Sequence, residues 1–423
     1  MAAVSPSVTV DNSLVSIGTN WARYYEYAAT TLHSPSTIDE LSEIVATAPK
    51  IRALGSRHSF NDLADSAELV SLDRLPPDIR IDEESETVSF SAGVRYGDLA
   101  AELELQGWAL RNMASLPHIS VAGAVATSTH GSGDRNGTLA RAVSGLEFVT
   151  ATGELLAVTP VDEAFDGAVV SLGALGVVAR ITLDIEPSYE MRQQVYSGIT
   201  WEHLLDNYDA ITARAYSVSI FTDWSDDART TVWLKGRLDE RALPQDVYGA
   251  KPLADDVRLT EGSAQNTTRQ GGEPGPWNER LPHFRMGFSP SNGDELQTEY
   301  FVPRQDAIAA LRAVRALGDR ITPHLHITEL RTMAADSLWL SGAYGTDATA
   351  IHFTWKNEPS AVLPLLPVIE AALEPFGARP HWGKLFASVR RERYPRLDDF
   401  VALAHDFDPN GKFRNTFLDR NVF

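Results

Sequence analysis

Hydrophobic positions in the first part of the chain switch between a helical and a strand period. From Ser36 to Ala48, Leu41, Ile44 and Val45 recur at helical spacing behind a Thr37 and Glu40 capping box, which predicts a helix. Ile51 to Leu54 should follow as a short strand, broken by Gly55. Further strands are expected over Leu69 to Leu72 and Thr87 to Phe90, with a helix from Tyr96 to Leu105 and a hairpin turning at Thr152-Gly153. Gly173 and Gly176 precede a strand from Val177 to Ile185, which Pro187 should end.

Beyond residue 188 the pattern changes. Aromatic strands are predicted over Ser219 to Trp224 and Thr230 to Leu234, followed by a polar stretch from Leu259 to Pro276 in which Ser263 to Pro274 reads as a surface loop. An amphipathic helix around Leu397 to Leu403 ends in the turn Asp408-Pro409-Asn410-Gly411-Lys412-Phe413, which lets the tail return to the first domain. The fold class is α+β, divided as 20–188, 189–378 and a returning segment 379–423. At 423 residues the chain is long enough for such a division.

Composition narrows the partners. A net charge of −20 disfavours nucleic acid and anionic membranes, which repel an acidic protein at long range. The chain has no cysteine, which excludes disulfides, thiolate nucleophiles and cysteine-held metals and points to the cytoplasm. The first thirty residues show no basic start followed by an apolar run, so no secretory signal is expected. Ala361 to Leu373 is apolar but carries Pro364, Pro367 and Glu370, and it is too short to span a bilayer.

Two loops carry the candidate chemistry: Leu54-Gly55-Ser56-Arg57-His58-Ser59-Phe60-Asn61, and the small-residue run Ser120 to Gly133. Small residues let backbone N–H groups approach a ligand, while hydroxyls and imidazoles donate to anionic oxygens. An ordinary strand-to-loop connection is the plain alternative for the first. The second is a poor way to build a core, and a close ligand is its simplest explanation. Neither is a Gly-x-Gly-x-x-Gly dinucleotide fingerprint, and no Walker pattern occurs.

These loops resemble the FAD domains of the vanillyl-alcohol oxidase and para-cresol methylhydroxylase (PCMH) type. More narrowly, Asn112 to Ser120, Pro274 to Phe284, Thr328 to Thr332, His352 to Trp355, Arg379 to Lys384 and Gly411 to Phe413 resemble the alditol (xylitol) oxidase family. The resemblance implies a two-domain flavoprotein, with a PCMH-type FAD domain over 20–188 and an α+β substrate cap on a mixed or antiparallel sheet. It implies FAD held covalently by His58, with Ala53, Leu54 and Gly55 leading in and Ser56, Arg57 and Ser59 at the diphosphate. Ser115, Ser120, Gly123, Thr127, Ser128, Thr129 and His130 would line the same cofactor, with Val178 on the adenosine side and His381 and Lys384 near the flavin ring. Where the wider family often has glycine in the first loop, this chain has Arg57, an added cation beside a diphosphate.

Glu329 and Arg331 lie two apart in a strand-like stretch, as do His352 and Thr354, so each pair projects from one face. A solvated strand face is the plain reading of such pairs. With the resemblance they become a polyol site together with Ser115 and Lys384. His352 is then the base, oriented by Glu329, whose carboxylate is the rival base; Arg331 and Lys384 stabilise the alkoxide-like oxygen. His324 and His326 share a strand face too, but no third ligand follows and no metal is expected. Small Ala114 beside Ser115 offers dioxygen a route.

The resemblance thus implies a monomeric oxidase taking the terminal CH2OH of xylitol or sorbitol to the aldose, with hydride passing to flavin N5 and dioxygen becoming hydrogen peroxide. The alternatives are a sugar-1,4-lactone oxidase or dehydrogenase of the same fold, a flavin-dependent cell-wall sugar reductase, and a non-redox carbohydrate-binding protein.

Overall fold

The computed structural model describes residues 17–225, 230–258, 264–288 and 294–423. Helix Ile38–Thr47 starts where the capping pattern puts it, with Thr37 Oγ1 accepting from Glu40 N–H at 3.2 Å. The Glu40 carboxylate closes on Ser36, at 2.7 Å from its N–H and 3.0 Å from its hydroxyl. The helix packs Leu41 and Val45 inward, and strand Ile51–Ala53 follows in parallel pairing with Glu68–Val70, itself paired in parallel with Thr31–His33.

A five-stranded antiparallel sheet completes the first domain, in the order Arg80–Asp82, Thr87–Ser91, Val177–Asp184, Val143–Val149, Leu155–Val158. Helix Tyr96–Leu105 runs over the expected residues and packs Leu99 and Leu103 into the same core as Phe90, Phe148 and Ile181. Complete burial of one such side chain is worth roughly 1.5–3 kcal/mol. The predicted hairpin turn is closed by Thr150 N–H donating to Glu154 O at 2.8 Å.

The cap is a nine-stranded, antiparallel sheet. At its centre, strands Thr231–Arg237, Ser217–Thr222, Leu325–Met333, Ala348–Lys356 and Glu295–Pro303 lie side by side. Alternation decides what each face does. Val218, Ile220, Val232, Leu330, Ile351 and Phe353 point to a second core, shared with Ala310 and Leu311 of helix Ala307–Arg315 and Ile369 of helix Leu366–Leu373. The intervening residues turn to the first domain. Both faces are therefore covered, and these strands are buried almost throughout.

The tail closes the structure. Helix Leu397–Phe407 ends in the expected turn, and Lys412 Nζ donates to Val45, Ala46 and Ala151 carbonyls of the first domain at 2.6, 3.0 and 2.7 Å. Asn415 Nδ2 donates to the carbonyls of Asp62, Leu63 and Asp65.

Strand Val177–Asp184 ends just ahead of Pro187, and Glu186–Pro187 makes a separate two-residue pairing with Trp108–Ala109, where a missing N–H costs little. Two expectations are corrected. The stretch read as a surface loop begins at Ser263, outside the described residues, but Thr267, Thr268 and Gln270 within it are buried, and Gln193 Nε2 donates to Thr268 O at 3.2 Å. Its polar side chains bond chiefly to backbone: Thr268 Oγ1 donates to Pro282 O at 2.7 Å and Gln270 Nε2 to Val257 O at 2.9 Å. The apolar run Ala361 to Leu373 belongs to a longer helical segment, Pro359–Phe376, whose 18 residues are long and apolar enough to cross a bilayer. Val362, Leu366, Ile369 and Leu373 on it pack into the cap core.

Candidate active site

One cavity of about 870 Å³ runs between the first domain and the inward face of the cap sheet. Its first-domain wall is the loop carrying His58. Asn61 fixes this loop by donating from Nδ2 to the carbonyls of Trp382 and Lys384, each at 2.8 Å, and Phe60 N–H donates to Gly383 O at 2.8 Å. The same bonds bring His381 and Lys384 beside His58. The two loops interlock: Ser120 N–H donates to Ser56 Oγ at 2.9 Å, and a Cβ on Gly55 would stand 2.5 Å from Ser120 Oγ.

The His58 ring stacks on Trp21, with centroids 5.3 Å apart, and its Nδ1 lies 3.1 Å from Ser56 Oγ. Its Nε2 is buried with no hydrogen-bond partner among the described residues. Burial, then the Lys384 charge, pushes the imidazole down to about 4, so it is a neutral ring.

Ala53, Leu54, Gly55, Ser56, Ser59, Ser120, Gly123, Thr127, Thr129, His130 and Val178 all line the cavity, with Ala114, Ser115, His381 and Lys384. Two predicted cofactor residues stand differently. Ser128 adopts a φ of 56°, which turns its side chain away; its hydroxyl donates to Ser341 Oγ at 3.2 Å, and Ser128 is not a lining residue. Arg57 lines the cavity, but its guanidinium donates to Ile17 O at 2.8 Å and lies over the Tyr27 ring, so its cation is engaged there. Its φ of 62° is the left-handed conformation that favours glycine. The second loop is also partly helical, since Val121–Ala126 forms a short helix.

The cap wall is polar. Register places Glu299, His352 and Glu329 side by side on three adjacent strands, with Thr354 and Gln297 paired in the next inward-facing row. Arg331 NH2 donates to Glu299 Oε1 at 3.0 Å, NH1 lies 3.3 Å from Ser115 Oγ, and Nε is 3.5 Å from Glu329 Oε1. His130 Nε2 is 3.1 Å from Glu299 Oε1, and Lys384 Nζ donates to Gln297 Oε1. Thr129 Oγ1 and His381 Nε2 are 3.4 Å apart.

The carboxylate facing His352 is Glu299, whose Oε2 lies 3.6 Å from Nδ1. Glu329, the expected orienting group, is instead drawn to His283, with Oε1 2.8 Å from Nε2. The other ring nitrogen of His352 lies 3.2 Å from Thr354 Oγ1. His324 closes a 3-10 turn against Glu358 instead of sharing a strand with His326, and no group of three metal-binding side chains occurs among the described residues.

Charge is organised in layers. Burial would raise Glu299, but His130, His352 and Arg331 hold it well below the usual carboxylate range; Arg331 and His283 do the same for Glu329. Burial lowers His352 against the pull of Glu299, lowers His381 to about 3, and lowers Lys384 to about 8. At neutral pH Glu299 and Glu329 are thus anions beside the Arg331 guanidinium and the Lys384 ammonium, with a neutral ring at His381. Such groups are costly to bury unless paired or met by a polar guest.

Sequence reasoning missed Glu299, Gln297, Glu295, His283 and Lys235. A period-two row, Glu295, Gln297, Glu299, was the available signal for the first three.

The comparisons agree with this geometry. An FAD-binding domain model matches residues 30–159, and a D-arabinono-1,4-lactone oxidase model matches residues 292–421. An alditol oxidase of a Streptomyces species is 48% identical over 408 residues, covering 95% of this chain and 97% of that protein. The chain belongs to the alditol oxidase family. A Mycobacterium tuberculosis L-gulono-1,4-lactone dehydrogenase is 27% identical, covering 96% of this chain and 98% of its own length. The crystal structure of cholesterol oxidase from B. sterolicum shares the fold at 14% identity, with a TM-score of 0.77 and complete coverage of both chains.

Family membership makes the first half of the cavity an FAD site, and the residues fit. A small-residue wall at Gly55, Gly123, Gly173 and Gly176 leaves room for a large planar group, and His58 lines the same space, its Nε2 buried without a hydrogen-bond partner among the described residues.

Proposed function

We propose that the protein is an FAD-dependent oxidase acting on the terminal primary alcohol of alditols such as xylitol and sorbitol, releasing the aldose and hydrogen peroxide. The observation that carries this reading is the cap wall. Glu329, Arg331, His352, Thr354, Lys384 and Ser115 all line the cavity, and together they offer hydrogen bonds to the hydroxyls of a polyol. An apolar guest would leave these groups unpaired.

FAD is attached in this reading through a ring nitrogen of His58, a neutral imidazole whose Nε2 is buried. Bound FAD supplies the two-electron acceptor and the reaction with dioxygen, for which small Ala114 leaves a route. His352 takes the alcohol proton, since burial keeps its ring neutral at rest. Glu299 then faces the imidazolium that forms. Arg331 and Lys384 hold the oxygen on which negative charge develops; removing one such donor typically costs about 3–4 kcal/mol of barrier. Ser115, Thr354 and Glu329 receive the remaining hydroxyls.

The lactone oxidase model over the second half favours a second reading, oxidation of a sugar-1,4-lactone. Peroxide release with xylitol against L-gulono-1,4-lactone separates them: higher kcat/KM for xylitol supports the proposal, and preference for the lactone overturns it. For the flavin link, an acid-precipitated pellet that stays yellow in the wild type and turns colourless in His58→Ala is the expected result.

A further inference from the structure

Behind the cavity wall, Lys235 is buried on strand Thr231–Arg237, where burial pushes its amine well below the usual lysine range. Nζ lies 2.5 Å from Leu281 O, 3.0 Å from Pro282 O and 3.0 Å from His283 Nδ1. Glu329 is held well below the usual carboxylate range by Arg331 and His283 and, as an anion, can only accept, so the His283 ring proton sits on Nε2 and Nδ1 accepts from Lys235. That Nε2 points at Glu329 Oε1, 2.8 Å away.

The ring cannot turn to lose this contact. It is packed edge-on between Phe221 and Trp233, with centroids at 5.6 and 5.3 Å, and Ser219 Oγ borders Nε2 at 3.3 Å. Arg331 Nε approaches the same Oε1 at 3.5 Å. Oε1 is thus used by the protein, while Oε2 has no hydrogen-bond partner among the described residues on a side chain that lines the cavity.

We propose that Lys235 and His283 form a buried positioning pair that fixes Glu329 as an oriented anion, with Oε2 reserved for a substrate hydroxyl. The chain of contacts begins at two backbone carbonyls, Leu281 O and Pro282 O, so it has no exit for a proton and works as a fixed dipole, not a relay. Glu329 is consequently a binding carboxylate, and the proton falls to His352. The other charged or titratable groups near Glu329 are Arg331 on its own strand, His352 on the adjoining strand, Glu299 one strand further on, and Lys384 from the tail.

The proposal rests on the alditol-oxidising reading of the same site. It is tested with flavin-loaded His283→Leu and His283→Gln, measuring kcat and KM for xylitol between about pH 5 and pH 9. His283→Leu should lose roughly tenfold or more in kcat/KM, mainly through KM. Its acid limb should move to higher pH, because Glu329 without the Nε2–H donor takes up a proton more readily. His283→Gln, whose amide both donates and accepts, should keep the wild-type limb and most of the kcat/KM. An unmoved acid limb and unchanged KM in His283→Leu overturn the proposal, as does His283→Gln failing to rescue at equal flavin content.

Should His283→Leu not fold, 15N-histidine NMR of the wild-type holoenzyme decides. One ring, assigned by its absence in His283→Gln, should stay neutral and Nε2-protonated over the whole range; titration, or a proton on Nδ1, overturns the pairing. A wild type inert to xylitol refutes the functional reading instead, and the NMR result still judges the pairing.

Discussion

His352 Nδ1 lies 3.6 Å from Glu299 Oε2, while Glu329, its register partner on the neighbouring strand, is bonded to His283. Glu299 also accepts from Arg331 and lies against His130, so one buried carboxylate holds three groups of the wall. Glu299→Gln keeps the shape and removes the charge. We expect kcat to fall by roughly a hundredfold or more, as for loss of general-base assistance, with FAD retained. Breaking a buried ion pair costs about 3–5 kcal/mol, which thermal unfolding will show. The folded-state pKa of Glu299 is depressed, so its stabilisation is present at neutral pH and lost as pH falls below the ordinary carboxylate value. The variant should accordingly lose less stability than the wild type on acidification.

The pH profile of kcat/KM should be bell-shaped. His352 must be neutral to accept a proton, so activity rises with pH through an acid limb below the usual histidine value. Lys384 must be charged, and burial lowers it to about 8, so activity falls as pH passes that value. Lys384→Met should lower kcat/KM by about a hundredfold and abolish the basic limb. A basic limb unchanged in that variant would assign it to another group.

Gly55→Ala tests how the two loops meet. The new Cβ would stand 2.5 Å from Ser120 Oγ, closer than atoms tolerate, so either the Ser120 hydroxyl rotates away or one loop retreats, and both disturb the meeting of the loops. Purified Gly55→Ala should carry much less flavin per chain, read from absorbance. Adding Ser120→Gly removes the opposing atom and should restore part of it; equal flavin content in wild type and Gly55→Ala would refute the contact.

Much of this site was legible in the sequence because strands repeat every second residue: Glu329 with Arg331, and His352 with Thr354, had to share faces. The glycine-flanked loop was legible for a similar reason, as few folds spend so many small residues without a ligand. Glu299, Gln297 and Glu295 repeat the same period, yet such a row reads as a solvated face until the first domain is seen to cover it. Lys235, on its strand, and His283, in the irregular stretch before Phe284, meet only through the tertiary fold. The turn of Ser128 toward Ser341 and of Arg57 toward Ile17 was not legible, because each goes with a positive φ that no local pattern announces at a non-glycine residue.

Anaerobic mixing of the purified protein with xylitol tests the central claim most directly. The flavin absorbance should bleach at a rate saturating with xylitol, and admitting air should restore it with one hydrogen peroxide formed per flavin. A flavin that xylitol leaves fully oxidised, while L-gulono-1,4-lactone bleaches it, would contradict the account.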